Sequence, residues 1–228
     1  MNPSSSVSWR AGVSPVLTAV RSHWRPFVFI QLGAIAVASG YYLSPGFQAW
    51  TVQIAQIKAN GGLPFAALST AFAAAVLPEL AKRLFAREKR TMDWADFGFQ
   101  ACLFAFLGIT VDLLYRWLGI WLGNSPSVTV VAKKLAVDQI LYSPLLSMPL
   151  CTLMFLWKDT GFSASRTKVL LQDGSFAKRY VGNMIACWLF WIPVLTAIYA
   201  MPQTLQFCLY LCVEAAWALL LLSMAGRE

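Results

Sequence analysis

The chain has 228 residues, of which 58% are hydrophobic and 12% charged, with a formal net charge of +8. Soluble domains carry about 25% charged residues, so a soluble globular protein is excluded, and apolar runs of membrane-crossing length indicate one integral membrane domain. The positive balance is not a nucleic-acid signature, because the basic residues fall between the apolar runs, where membrane topology places them.

Residues 1–26 form a Ser-rich tail with Arg10, Arg21 and Arg25 and no acid; the first acid of the chain is Glu79. The composition is similar to a mitochondrial presequence. A cytoplasmic tail that follows the positive-inside pattern is the simpler reading. Residues 27–225 are then a single all-α transmembrane bundle of about six hydrophobic helices. Phe27 to Leu43 is the first span, stopped by Ser44-Pro45-Gly46. Pro at that point cannot continue the helix. Phe47 to Lys58 has mixed polarity and reads as an interfacial stretch, and Gly61-Gly62 is a break. Leu63 to Leu80 is the second span, rich in alanine. Small side chains let membrane helices approach closely, so this helix is expected near the centre.

Lys82 to Arg90 is a basic loop. Phe97 to Tyr115 is the third span, followed by a belt of Arg116, Trp117 and Trp121 and a turn at Gly123-Asn124-Ser125-Pro126. The fourth span runs from about Val137 to Trp157. A second basic stretch, Lys158 to Tyr180, is spaced to lie on a membrane surface. Val181 to Met201 and Leu205 to Met224 are the last two spans, joined by Pro202-Gln203. With six spans, 14 Lys and Arg fall on the side of both termini and 4 on the other. That asymmetry puts both termini on the cytoplasmic or matrix side. The first two runs are the shortest, so a four-span layout is also open.

The polar residues inside these runs are the candidate site. Asp112, Tyr115 and Arg116 end the third span, and Asp138 and Gln139 begin the fourth. Asp112 and Arg116 are four residues apart, as are Lys134 and Asp138, so each pair can meet on one helix face. The pairs staple the two helices together, or they form a charged ring at a pore mouth. Glu214 lies mid-span with no cation nearby in sequence, and an ionisable group at that depth is by default functional. Its expected form is the neutral acid, hydrogen-bonded to a facing helix or acting as a proton-sensitive gate. Pro144 and Pro193 interrupt helical hydrogen bonding and free carbonyls that need a neighbouring donor. Trp188, Trp191 and Trp217 supply aromatic lining. The five cysteines lie in apolar runs and read as small packing residues. The single histidine, His23, lies in the tail, so neither a metal site nor any cofactor is expected.

The ordered motifs Gly108 with Tyr115, Lys133-Lys134 with Asp138-Gln139 and Pro144, and Trp188, Trp191, Pro193, Pro202 and Trp217 resemble the Mpv-seventeen and peroxisomal membrane protein family. The likeness covers about Leu80 to Ser223. It departs from the family pattern at Ile109, at Ala197-Ile198 and at Gln206, and Asp112 and Glu214 are not family signature residues. The resemblance implies a helical bundle of the mitochondrial inner or peroxisomal membrane, or of the cytoplasmic membrane in a bacterium, acting as a weakly selective channel for small solutes or metabolites. Three functions follow. The first is a channel through the polar residues above, with the lipid bilayer and a small-molecule solute as partners, compatible with a homo-oligomer and assigning no catalytic residue. The second is an intramembrane enzyme in which Glu214 protonates a lipid or isoprenoid substrate beside the tryptophans. The third is a non-conducting scaffold.

Overall fold

A computed structural model describes residues 24–81 and 93–225. The tail, His23 and the Lys82–Arg90 loop fall outside these residues, apart from the last three of the tail. Among the described residues there are seven helices. We number them α1 (Trp24–Leu43), α2 (Pro45–Ala71, continued by Phe72–Val76 and Leu77–Ala81), α3 (Trp94–Leu122), α4 (Val128–Ala136, Val137–Ser147 and Met148–Asp159), α5 (Ala164–Gln172), α6 (Ser175–Ala200) and α7 (Gln203–Ala225). Five of them, α2, α3, α4, α6 and α7, are long and apolar enough to cross a membrane. The protein is an all-α integral membrane bundle. Five such helices replace the four-span layout, and α1 adds a further helix of 20 residues.

Proline and glycine set most boundaries. Ser44 caps α2 by accepting from the Phe47 N–H at 3.3 Å, with Pro45 in the first turn, where its missing N–H costs no helical bond. Phe47 to Lys58, expected as a separate interfacial stretch, is instead helical and continuous with the second span. The break expected at Gly61-Gly62 survives as a kink: Gly62 has φ 54° and ψ −140°, which a residue with a Cβ rarely adopts. Gly123 and the N-cap Ser127 bound the turn between α3 and α4, and only Met201 and Pro202 separate α6 from α7.

Close packing in the centre rests on small side chains. Ala66, Ala73, Ala74 and Ala75 of α2 are buried, and α2 makes its most extensive contact with α3. The crossing point is Gly108. A Cβ there would sit 2.5 Å from Thr70 Oγ1 and 2.7 Å from the Ala66 carbonyl oxygen. The backbones therefore approach to a distance only glycine allows. α7 is the most enclosed helix, packed between α1, α2 and α6.

Asp96 of α3 pairs with Lys158 of α4 at 3.1 Å, and Arg179 of α6 with Asp159 at 2.6 Å, at one end of the bundle. At the other end α3 finishes, α4 begins, and Lys134 donates to Asn124 at 3.1 Å. The two ends are thus fixed by polar contacts and the middle by apolar packing. Gly108→Ala is expected to destabilise the protein in detergent by about 1–3 kcal/mol, as overpacking against backbone does. Gly98→Ala in the same helix meets nothing within 4 Å. It should be neutral or gain up to about 1 kcal/mol. Thermal unfolding of both variants checks the pair.

Candidate functional site

The site grows from the middle of α4. From Val137 to Ser147 the helix is wound wide, with hydrogen bonds reaching back five residues; the Met148 N–H bonds the Ser143 carbonyl. In such a π-helix, residues five apart stack on one face, where in an α-helix those four apart would. Ser143 Oγ accordingly lies 3.4 Å from Asp138 Oδ1, and Gln139 Nε2 donates to Asp138 Oδ1 at 2.9 Å and to Ser143 Oγ at 3.2 Å. Wide turns of this kind often occur at functional sites.

The prolines explain why the turn can stay wide. In a five-residue pattern Pro144 would have bonded the Gln139 carbonyl and Pro149 the Pro144 carbonyl, but neither proline has an N–H. Both carbonyls find a donor on α6: Trp188 Nε1 bonds the Gln139 oxygen at 3.0 Å, and the Tyr180 hydroxyl bonds the Pro144 oxygen at 3.0 Å. An unpaired carbonyl in an apolar interior costs several kcal/mol, so these two donors matter. Trp188, expected as aromatic lining, is therefore a hydrogen-bond cap on the wide turn.

The widened wall faces a partly open cavity lined by residues of α3, α4, α6 and α7. Its volume is about 50 Å³. That holds roughly three or four water molecules. Asp138 and Gln139 of α4, Tyr115 of α3, Trp191 of α6, and Glu214 and Trp217 of α7 all border it. Thus the two acids, 76 positions apart in sequence, meet at one space. Asp138 also accepts from the Tyr199 hydroxyl at 2.6 Å, so each of its donors is neutral. Glu214 is 4% exposed, and its interacting side chain is Tyr210, one turn earlier on α7.

The other expected residues lie elsewhere. Asp112 is fully buried and is held between Lys58 and Arg116, each at 2.7 Å. Arg116 is half-exposed and does not border the cavity. The Asp112–Arg116 pairing holds, but Lys58 joins it from α2, with its ammonium 4.0 Å above the Phe207 ring. The matching Lys134–Asp138 pair does not form: Lys134 turns to Asn124, and Asp138 turns inward. A charged ring is thereby split into a cation-balanced acid and an acid facing the cavity. Pro144 shapes the wall without bordering the space, and Pro193 is exposed on a helix that runs through it unbroken.

No protein-family model matches the chain, and no curated protein and no solved structure matches it either.

Several wall residues were not singled out by sequence reasoning. Tyr142 borders the cavity and bonds Thr110 of α3 at 2.8 Å; Ser143, Ser147, Cys151 and Cys187 also line it. Tyr210 carried a readable signal, its spacing of four from Glu214. The serines carried the same signal: Gln139, Ser143 and Ser147 follow one another at a spacing of four and share a face in any helix. Among the described residues, no three His, Cys, Asp or Glu side chains converge to hold a metal ion.

The capping account gives a test by double-mutant cycle. Trp188→Phe keeps the ring but removes the donor, and should destabilise by about 1–3 kcal/mol. Pro144→Ala supplies an N–H that can reach the same carbonyl. In that background Trp188→Phe should cost clearly less, as read from melting in detergent; equal costs in both backgrounds would contradict the assignment.

Proposed function

We propose that this integral membrane protein is a conduit for small solutes, with the partly open cavity between α3, α4, α6 and α7 as its chamber. The observation that carries this reading is the convergence of Asp138, Gln139 and Glu214, from two helices, on one internal space. Intramembrane ionisable groups that face a cavity mark permeation or proton pathways by default. The wide segment of α4 also keeps hydroxyls and an amide on the chamber side, where a hydrated solute would exchange its shell. At about 50 Å³ the chamber as it stands suits solutes of a few heavy atoms. Passage of larger metabolites requires it to open.

The resemblance to the Mpv-seventeen family supports the same class of function. It also supports a mitochondrial inner or peroxisomal membrane in a eukaryote, or the cytoplasmic membrane in a bacterium. With α1 crossing as a sixth span, both termini would face the cytoplasm or matrix, on the charge asymmetry of the sequence. A scaffold role is less well supported, since a solid interior would serve it better than a polar cavity.

One observation favours the enzymatic reading: Glu214 is enclosed with the rings of Trp191 and Trp217 beside it. An acid near aromatic faces suits carbocation chemistry. The chamber is too small for an isoprenoid chain unless it opens, which places that reading second.

Flux through proteoliposomes decides between them. The wild-type chain should pass water-sized neutral solutes faster than protein-free vesicles. Ser147→Leu puts an apolar side chain into the chamber and should cut the flux by about tenfold or more, as a dewetted constriction does. The same variant should melt no lower than wild type, because it fills space instead of displacing neighbours. Wild-type vesicles as tight as empty ones, or an unchanged flux in Ser147→Leu, would contradict the proposal.

A further inference from the structure

The chamber holds acids without a counter-charge. Asp138 receives its hydrogen bonds from Tyr199, Gln139 and Ser143, all neutral. Glu214 interacts with Tyr210, also neutral. Among the described residues no lysine, arginine or histidine borders the space. The nearest cation along α4, Lys134, is bonded to Asn124, lies 5.9 Å from the centre of the Tyr199 ring and forms no ion pair with Asp138. Asp112 shows how the same protein treats an acid that it neutralises itself, with two cations at 2.7 Å. A buried carboxylate without a partner is too costly to persist. Each chamber acid must therefore hold a proton or face a cation supplied from outside.

A second, independent feature points to a guest. Tyr115 borders the chamber from α3, is about nine-tenths buried, and its hydroxyl makes no well-formed hydrogen bond; its one interacting hydroxyl, Tyr199, already donates to Asp138. Buried hydroxyls of this kind are rare in native proteins and ask for a partner. The remaining titratable groups of the wall are neutral weak acids: Tyr142 and Cys151 on α4, Cys187 on α6 and Tyr210 on α7. None can supply a positive charge. The faces of Trp191 and Trp217, which meet edge to face at 6.1 Å, border the same space and attract cations.

We propose that the chamber is a binding site for one small monovalent cation of ammonium type, taken up in exchange for a proton. The set is oxygen and aromatic with two thiols, Cys151 and Cys187, and among the described residues no metal-ligating triple is present. Hydroxyl and carboxyl oxygens can accept each N–H of an ammonium ion, while the tryptophan faces cover the rest. The exchange balances: a carboxylic acid of the pair releases its proton to solvent, and the carboxylate left behind is neutralised by the entering cation. No bond to carbon changes and no electron moves. The proposal rests on the chamber being part of the conduit, and it adds one small cation to the solutes that the chamber holds.

The experiment uses the full chain in detergent, titrated with ammonium and methylammonium chloride at constant ionic strength, with sodium and potassium chloride as parallel arms. Tryptophan fluorescence and proton release into weakly buffered solution are read together. Saturable quenching by ammonium or methylammonium is expected, with about one proton released per cation bound. Sodium and potassium should compete weakly or not at all. Glu214→Gln and Asp138→Asn, each checked for an unchanged melting profile, should weaken the response by about tenfold or more. If one variant fails to fold, the other carries the test. A response that is absent, unaccompanied by proton release, or unchanged in the folded variants overturns the proposal, as does preference for sodium or potassium. Flux of neutral solutes without cation binding would leave the conduit intact and remove the cation. Cation binding without flux would do the reverse.

Discussion

The structure depends on two hydrogen bonds that cross from α6 to α4. Trp188 and Tyr180 donate to the carbonyls of Gln139 and Pro144, the two oxygens that Pro144 and Pro149 leave without a helical partner. Without them a helix interrupted twice in an apolar medium would carry unpaired backbone. With them the helix remains wide over Val137–Ser147 and turns a polar face, Asp138, Gln139, Ser143 and Ser147, toward its neighbours. The chamber is a consequence of that face. A regular α-helix would spread the same four residues over half its circumference and turn Asp138 away from Ser147.

Two kinds of buried acid are present, and they are handled in opposite ways. Asp112 lies near the Gly62 kink of α2 and is held by Lys58 and Arg116, so its charge is balanced inside the protein. That arrangement ties α2 to α3 above the tight crossing at Gly108 and fits a structural role. Asp138 and Glu214 have only neutral neighbours and open space. The contrast separates a staple from a site more clearly than depth or burial does, since all three acids are nearly inaccessible.

Much of the architecture could be read from the residues. Ser44-Pro45, Gly61-Gly62, Gly123 to Pro126 and Pro202 mark real interruptions, because proline and glycine act through local backbone geometry. Glu214 and Asp138 stood out because acids are rare in apolar runs. The need for donors to the proline-freed carbonyls was also legible, but their identity was not: Tyr180 and Trp188 lie 36 and 49 residues from their partners. The wide winding of α4 was hidden for a different reason. Helical pairs were sought four apart, so Lys134 was matched with Asp138, whereas the widened backbone pairs Asp138 with Ser143. Lys58 was placed in an interfacial stretch because mixed polarity is ambiguous there; its partner on α3 is a tertiary fact. The continuous helix through Phe47 to Lys58 was missed on the same ground.

The central claim is that a proline-widened helix holds open a wet chamber where Asp138 and Glu214 meet. Experimental density for the protein in lipid, at a resolution that shows ordered solvent, tests it most directly. The account predicts discrete density inside the chamber, within hydrogen-bonding distance of both carboxyls and of the Tyr115 hydroxyl. A regular α-helical course through Val137–Ser147, or apolar side chains closing the space between the two acids, would contradict it.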